Sequence, residues 1–218
     1  MKAYSGWILI IAIVAIIFFS AKAVFVKMAY IYDIEAIPLL LLRMAFALPV
    51  YVVMAFAKKP NHPKEIVFKD YLWVVVLGFL GYYLASLTDF LGLEFIKASL
   101  ERIILFVYPT LVIFITWISF GKRPSKWLII AILVSYAGIF ITFSAELRIS
   151  GNKNDVWIGG LLVFLSALCY ASYLVGSGWL IPKFGSVAFT SYAMIVSSVC
   201  VFVHFGLTKP LDFIRLSR

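Results

Sequence analysis

Charge is what this 218-residue chain has least of. Asp, Glu, Lys and Arg make up 13% of it, about half the share usual in soluble domains. Hydrophobic residues make up 64% and the mean hydropathy is +1.06, which excludes a soluble globular domain and leaves an integral membrane protein. Histidine and cysteine are scarce, with two of each. His62 and His204 are far apart, and Cys169 and Cys200 both fall in apolar runs. A metal-ligand cluster and a disulfide framework are therefore not expected, and the cysteines read as small buried hydrophobes. The chain has no HExxH, no GxSxG and no glycine-rich phosphate loop, so enzyme chemistry has little support and no cofactor is expected. Nor do its apolar runs alternate as the strands of a membrane β-barrel must.

What is present is a series of long apolar segments, at about 7–29, 36–57, 71–93, 97–119, 127–145, 157–180 and 187–207. Each is near the roughly 20 residues that a transmembrane helix needs. The fold class is thus all-α and polytopic, with about seven transmembrane helices. Lys2, the apolar run 7–19 and Ala21-Lys22-Ala23 imitate a cleavable signal. Apolar character resumes through Val24, Phe25 and Val26, however, so the segment reads as a true span.

The net charge of +9 would suggest nucleic acid in a soluble chain. Here most basic residues lie in short loops, where they set orientation, and no nucleic-acid partner is expected. Lys2, Lys58, Lys59, Lys64, Lys69, Lys122, Arg123, Lys126 and Lys183 fall on one side. That side, with the N-terminus, is expected in the cytoplasm, and the protein in the cell membrane. Asp33, Glu35, Glu94 with Lys97, and the segment 146–155 fall on the other side. The tail residues Lys209, Arg215 and Arg218 would be external after a seventh span, against the trend.

An internal repeat accounts for that misfit. Sliding the chain by 150 residues pairs Trp7-Ile8 with Trp157-Ile158, Ala21 with Ala171, Ile31 with Ile181 and Met44 with Met194. Five spans separate the copies, and an odd number inverts the second in the membrane, as in secondary transporters. The expected organisation is a five-helix repeat over 1–145 and the first two helices of a second, truncated repeat over 157–207. Three further helices would complete it.

Five ionisable residues interrupt the spans: Lys22, Arg43, Asp89, Glu101 and Arg102. Each costs about 2.5–3.5 kcal/mol at the centre of a membrane helix, so such residues face a bundle interior or cavity and pair with one another. With a cytoplasmic N-terminus, Lys22 lies roughly 6 Å and Arg43 about 5 Å past mid-span, and Asp89 and Glu101 roughly 10 Å past it, all toward the exterior. They are expected to share one layer, net positive, with Arg102 turned to another helix face than Glu101. An anionic substrate group fits such a layer, and ion pairs that only lock helices together fit it equally. Lys22, Arg43, Arg102 and Tyr108 are the candidate substrate-binding residues. Asp89 and Glu101 are the candidates for proton coupling, since intramembrane carboxyls form proton relays. The same two carboxyls are also the one basis for a membrane-embedded hydrolase. Pro109, in mid-span, removes a backbone donor and is the candidate hinge, while Pro38 sits where a first-turn proline belongs.

Tyr82, Tyr83, Tyr108, Tyr136, Tyr170 and Tyr173 are further candidates to line a cavity. Gly78, Gly81, Ala131, Ser135, Gly138, Ala167 and Ala171 mark sites where helices approach closely. Trp7, Trp73, Trp127 and Trp157 are at span ends, as interfacial anchors.

Lys22-Ala-Val-Phe-Val-Lys27, Arg43-Met44, the stretch 98–110 with Glu101-Arg102 and Tyr108-Pro109-Thr110, and Ser135-Tyr-Ala-Gly138 together resemble the EamA-like branch of the drug/metabolite transporter superfamily. The resemblance covers nearly the whole chain and is most specific over 100–110. It implies ten helices in two inverted halves, cytoplasmic termini and export or exchange of small metabolites, of which this chain resembles the first seven helices. Many members of the family carry an acid in the turn after the fourth helix, where this chain has Gly121-Lys122-Arg123. The function expected is secondary transport, as an exporter, of a small polar metabolite by alternating access. The expected partners are that metabolite and the lipid bilayer, with a homodimer left open. The alternative is a seven-helix receptor, or a structural membrane protein without transport activity.

A membrane-impermeant reagent separates the two. An N-terminal tag should be labelled only after cells are permeabilised, and labelling of intact cells would favour the receptor.

Overall fold

A computed structural model describes residues 6–121, 124–149 and 153–208. These are almost wholly helical, and seven of their helical stretches are long and apolar enough to cross a membrane. The helices are α1 (Gly6–Ile31), α2 (Ala36–Ala57), α3 (Phe68–Gly78), α4 (Ala85–Phe95), α5 (Ala98–Leu105), α6 (Tyr108–Phe120), α7 (Lys126–Ile149), α8 (Lys153–Phe184) and α9 (Ser186–Thr208). α3 and α4 form one span with a π-helical turn, Phe79–Leu84, between them, and α5 and α6 form another. The seven expected spans are all present, the third interrupted by the π turn and the fourth by a break just before Pro109. Lys2, Lys122, Arg123, Lys209, Arg215 and Arg218, on which the orientation argument partly leans, lie outside the described residues.

Local chemistry sets the boundaries. Pro38 is buried in the first turn of α2, where its missing N–H costs no hydrogen bond. The Asp70 carboxylate accepts the backbone N–H of Val67 at 3.0 Å and so caps α3. Gly121 ends α6 at φ +67°, and Gly185 turns α8 into α9 at φ +78°. Both are left-handed conformations that glycine adopts without penalty. The π turn adds a residue to the third span, which shifts the face that everything after it presents. In the fourth span, residues 106–107 form a non-helical turn and Pro109 opens α6. Proline cannot bond to the carbonyl four residues back, so the break falls one turn ahead of it.

The interior lies where the third span meets α8 and where α2 and α3 meet α9. One apolar cluster joins Ala23 and Val26 of α1, Leu40 and Met44 of α2, Phe90 and Leu93 of α4, and Met194 and Val201 of α9. Another joins Val74 and Leu77 of α3 to Tyr173, Phe184 and Phe189. Two expected close approaches are observed. A Cβ on Gly78 would lie 2.7 Å from the Ala193 carbonyl oxygen, and one on Gly81 would lie 2.3 Å from the Tyr173 ring. Ala167 and Ala171 are fully buried. The small residues of α7 behave differently from expectation: Gly138 has no atom within contact range of a would-be Cβ, and it lines an apolar groove with Ala131, Ser135 and Pro109. No residue of 126–145 is fully buried.

Trp73, Trp127 and Trp157 are exposed near span ends, as anchors should be, and the Trp7 side chain lies outside the described residues. α8 has 32 residues, about 48 Å at 1.5 Å per residue. It exceeds a hydrocarbon core of about 30 Å, so it tilts or projects beyond it.

Gly78→Val should show the tightness of the α3–α9 contact. The branched side chain meets backbone that cannot rotate away, and a loss of about 1–3 kcal/mol is expected, measurable as a lower unfolding midpoint in detergent.

Candidate functional site

Four successive spans bring the intramembrane charges together. Lys22 comes from α1, Arg43 from α2, Asp89 from α4, and Glu101 and Arg102 from α5. The Lys22 ammonium is in direct contact with the Asp89 carboxylate and 3.5 Å from Glu101 Oε1. Glu101 Oε2 lies 3.4 Å from Arg102 Nε. Both carboxylates are buried, Glu101 completely. Contacts of 3.4 and 3.5 Å are longer than good charge-assisted hydrogen bonds, so the two cations hold Glu101 chiefly by Coulomb attraction. The expected layer of charge is therefore a contact network.

The positions of the two arginines differ. Arg102 was expected on a face away from Glu101, but its long side chain reaches back to that carboxylate. Its Nη2 donates to the Ser20 carbonyl at 3.0 Å, tying α5 to α1. Like Glu101, it is not among the residues that line the cavity bordered by Lys22 and Asp89. Arg43 donates from Nη1 to Ser86 Oγ at 3.1 Å, and its Cζ lies 5.8 Å from the centroid of the Phe90 ring. Lys22 Nζ is 6.0 Å from the same centroid, so one aromatic ring serves two cations.

These groups open on a cavity of about 200 Å³ lined by Lys22, Arg43, Tyr82, Ser86, Asp89, Tyr108, Ser166 and Tyr170, with Gly81, Ala85 and Leu105. Three of the expected tyrosines, Tyr82, Tyr108 and Tyr170, line it. Tyr173 lies behind them, its hydroxyl 3.0 Å from that of Tyr82. Tyr83 points elsewhere and pairs with His204 Nδ1 at 2.9 Å, and Tyr136 is exposed on α7. Neither of these two lines the cavity. Pro109 faces the groove beside α7 instead.

Ser86, Ser166 and Phe90 were missed in the sequence. Ser86 is three residues before Asp89 and so shares its helix face, a signal that was available. Ser166, which donates to the Ala85 carbonyl at 2.7 Å, carried none. Among the described residues, no group of three or more His, Cys, Asp or Glu side chains is placed to hold a metal ion.

At the opposite end, Asp70 pairs with Lys183 at 2.9 Å, and His62 N–H donates to the Lys183 carbonyl at 2.9 Å. The lysine-rich loop 58–67 is thereby bound to the end of α8.

Comparison with known proteins agrees with this architecture. The model of a family described as the EamA-like transporter family matches residues 6–144. The uncharacterized transporter YcbK of Bacillus subtilis is 28% identical over 201 residues, 91% of this chain and 63% of its own length. Two S-adenosylmethionine/S-adenosylhomocysteine transporters of Chlamydia trachomatis serovars are each 27% identical over 159 residues, 62% of this chain and 43% of theirs. The chain thus spans less than two thirds of the length of these relatives. No solved structure matches it.

Removing the ammonium should expose the cost of the two carboxylates it holds. Lys22→Met is expected to destabilise the protein by about 3–5 kcal/mol, because it leaves buried charge uncompensated. Adding Asp89→Leu should recover part of that loss, a non-additivity that chemical denaturation of the single and double variants measures.

Proposed function

We propose that this chain, which belongs to the EamA-like transporter family, moves a small polar metabolite across the cytoplasmic membrane, as an exporter, by alternating access. The observation that carries the reading is the cavity itself. A space of about 200 Å³ in the membrane-spanning region, bordered by Lys22, Arg43 and Asp89, is a polar binding place where lipid would admit none. The named relatives agree with a small-molecule substrate, two of them being transporters of S-adenosylmethionine and S-adenosylhomocysteine.

Alternating access needs two halves. We read 1–145 as one five-helix repeat and 157–207 as the first two helices of its inverted copy. Met44 and Met194, equivalent under the 150-residue slide, support this by meeting in one apolar cluster where α2 packs on α9. Residues related by a pseudo-two-fold axis through that contact should do so. The basic loop 58–67 and Lys183 gather at one end, which supports a cytoplasmic N-terminus.

In the same reading, Asp89 and Glu101 carry the coupling proton. They share the one ammonium of Lys22, with Arg102 as the second cation. A proton arriving on either carboxyl would lower the charge that Lys22 balances and loosen α1 from α4 and α5. Pro109 and the turn at residues 106–107 are the hinge about which the fourth span would bend.

Glu101→Gln separates coupling from transport. In proteoliposomes the variant should lose proton-gradient-driven accumulation of substrate while retaining downhill exchange, and gradient-driven uptake at the wild-type rate removes Glu101 from the role.

A further inference from the structure

We propose that the transported molecule joins a carboxylate to a planar aromatic body, with Arg43 holding the carboxylate and Tyr82, Tyr108 and Tyr170 forming the wall against the ring. The inference rests on the transporter reading of this cavity and divides labour among its cations, which that reading leaves undivided.

The division follows from which cations already have anions. Lys22 touches Asp89 and Glu101, and Arg102 touches Glu101. Among the described residues, Arg43 has no carboxylate at ion-pair distance. It donates one N–H to a neutral hydroxyl, Ser86 Oγ, and its guanidinium lies over Phe90. Although it sits in the middle of an apolar helix, Arg43 is exposed, and it lines the cavity. A guanidinium has five N–H donors in a rigid fork. One is occupied by Ser86, and the fork is suited to a bidentate carboxylate. An anion that took Lys22 instead would have to draw it from two buried carboxylates, leaving uncompensated charge. The anionic end of a ligand therefore belongs at Arg43.

The rest of the lining selects the body. Tyr108 and Tyr170 meet edge to face with centroids 5.3 Å apart. The Tyr82 hydroxyl is engaged by that of Tyr173, so Tyr82 offers the cavity ring surface rather than a polar tip. Gly81 and Ala85 also line the space beside these rings. Aromatic walls prefer aromatic guests in offset or edge-on contact. A cavity of about 200 Å³ is below the usual ligand-pocket range of roughly 300–1,000 Å³, which points to a single small ring.

The test is equilibrium binding, by calorimetry, of benzoate, its neutral isostere benzamide and the aliphatic butyrate to the purified 218-residue chain in detergent. Saturable benzoate binding is expected, with benzamide and butyrate each about tenfold weaker or more. Arg43→Gln should abolish the preference for benzoate over benzamide, and Arg43→Lys should leave it partial, since a point charge cannot make the fork. The ligand comparison on the unaltered protein needs no variant to fold. Equal binding of benzoate and benzamide, equal binding of butyrate, an unchanged preference in Arg43→Gln, or no saturable benzoate binding would each overturn the proposal. Flux in proteoliposomes is measured separately from binding. Arg43-dependent benzoate binding without transport defeats the transporter reading alone, and transport with charge-blind binding defeats this inference alone.

Discussion

The Lys22 ammonium, held between the carboxylates of Asp89 and Glu101, is the interaction on which the membrane interior of this protein depends. It joins three helices, α1, α4 and α5, at a depth where lipid supplies no compensating dipole. Without it, two buried negative charges would stand against each other. Without them, a primary ammonium would sit in hydrocarbon. Ion clusters of this kind are poor evidence for stability, because apolar side chains of similar volume often pack as well. Through Lys22 and Asp89 the cluster also forms part of the wall of the cavity beside it. Arg102 and the Ser20 carbonyl tie α5 to α1, and Phe90 lies beneath both Lys22 and Arg43.

Irregular backbone places these groups. The π turn at Phe79–Leu84 and the break at residues 106–107 interrupt the two spans that supply Asp89, Glu101 and Tyr108. Each interruption frees backbone groups, which membranes tolerate only inside protein or beside a cavity. Both are next to the cavity here: Gly81 and Tyr82 come from the π turn, and Leu105 and Tyr108 flank the break. The close contacts of Gly78 with Ala193 and Gly81 with Tyr173 pack the third span tightly against α8 and α9 on either side of the start of the distortion. The uneven burial of the spans fits the same picture, with α8, α9 and the third span forming the packed interior and α7 lying at the margin.

Much of the membrane architecture was legible in the chain. Spanning length and composition locate seven helices, because hydrocarbon forbids unsatisfied backbone and so forces a uniform, readable solution. The rarity of charge within those spans also marked five residues worth following, and four of them do meet around one another. Side-chain reach was harder to read. Arg102 was expected to be parted from Glu101 by helix geometry, yet a flexible guanidinium on a long stem crosses that angle. The tyrosines divided in the same way. Their hydroxyls mark them as suited to a polar cavity, but only packing distinguishes Tyr82, Tyr108 and Tyr170, which line it, from Tyr83, which turns to His204, and Tyr136, which is exposed on α7.

What the sequence determined by itself is the class of solvent and the number of crossings, since both follow from composition over windows of about 20 residues. It also determined that a few charges had to find partners, because the cost of an isolated ion in lipid is independent of the fold. Which partner each charge takes was decided only in three dimensions. Lys22 and Arg43 are equivalent on sequence evidence, two cations at similar depth in adjacent helices. The rotation of α1 and α2 about their axes, set by packing against α4 and α9, gives the first to two carboxylates and leaves the second facing the cavity with a serine hydroxyl.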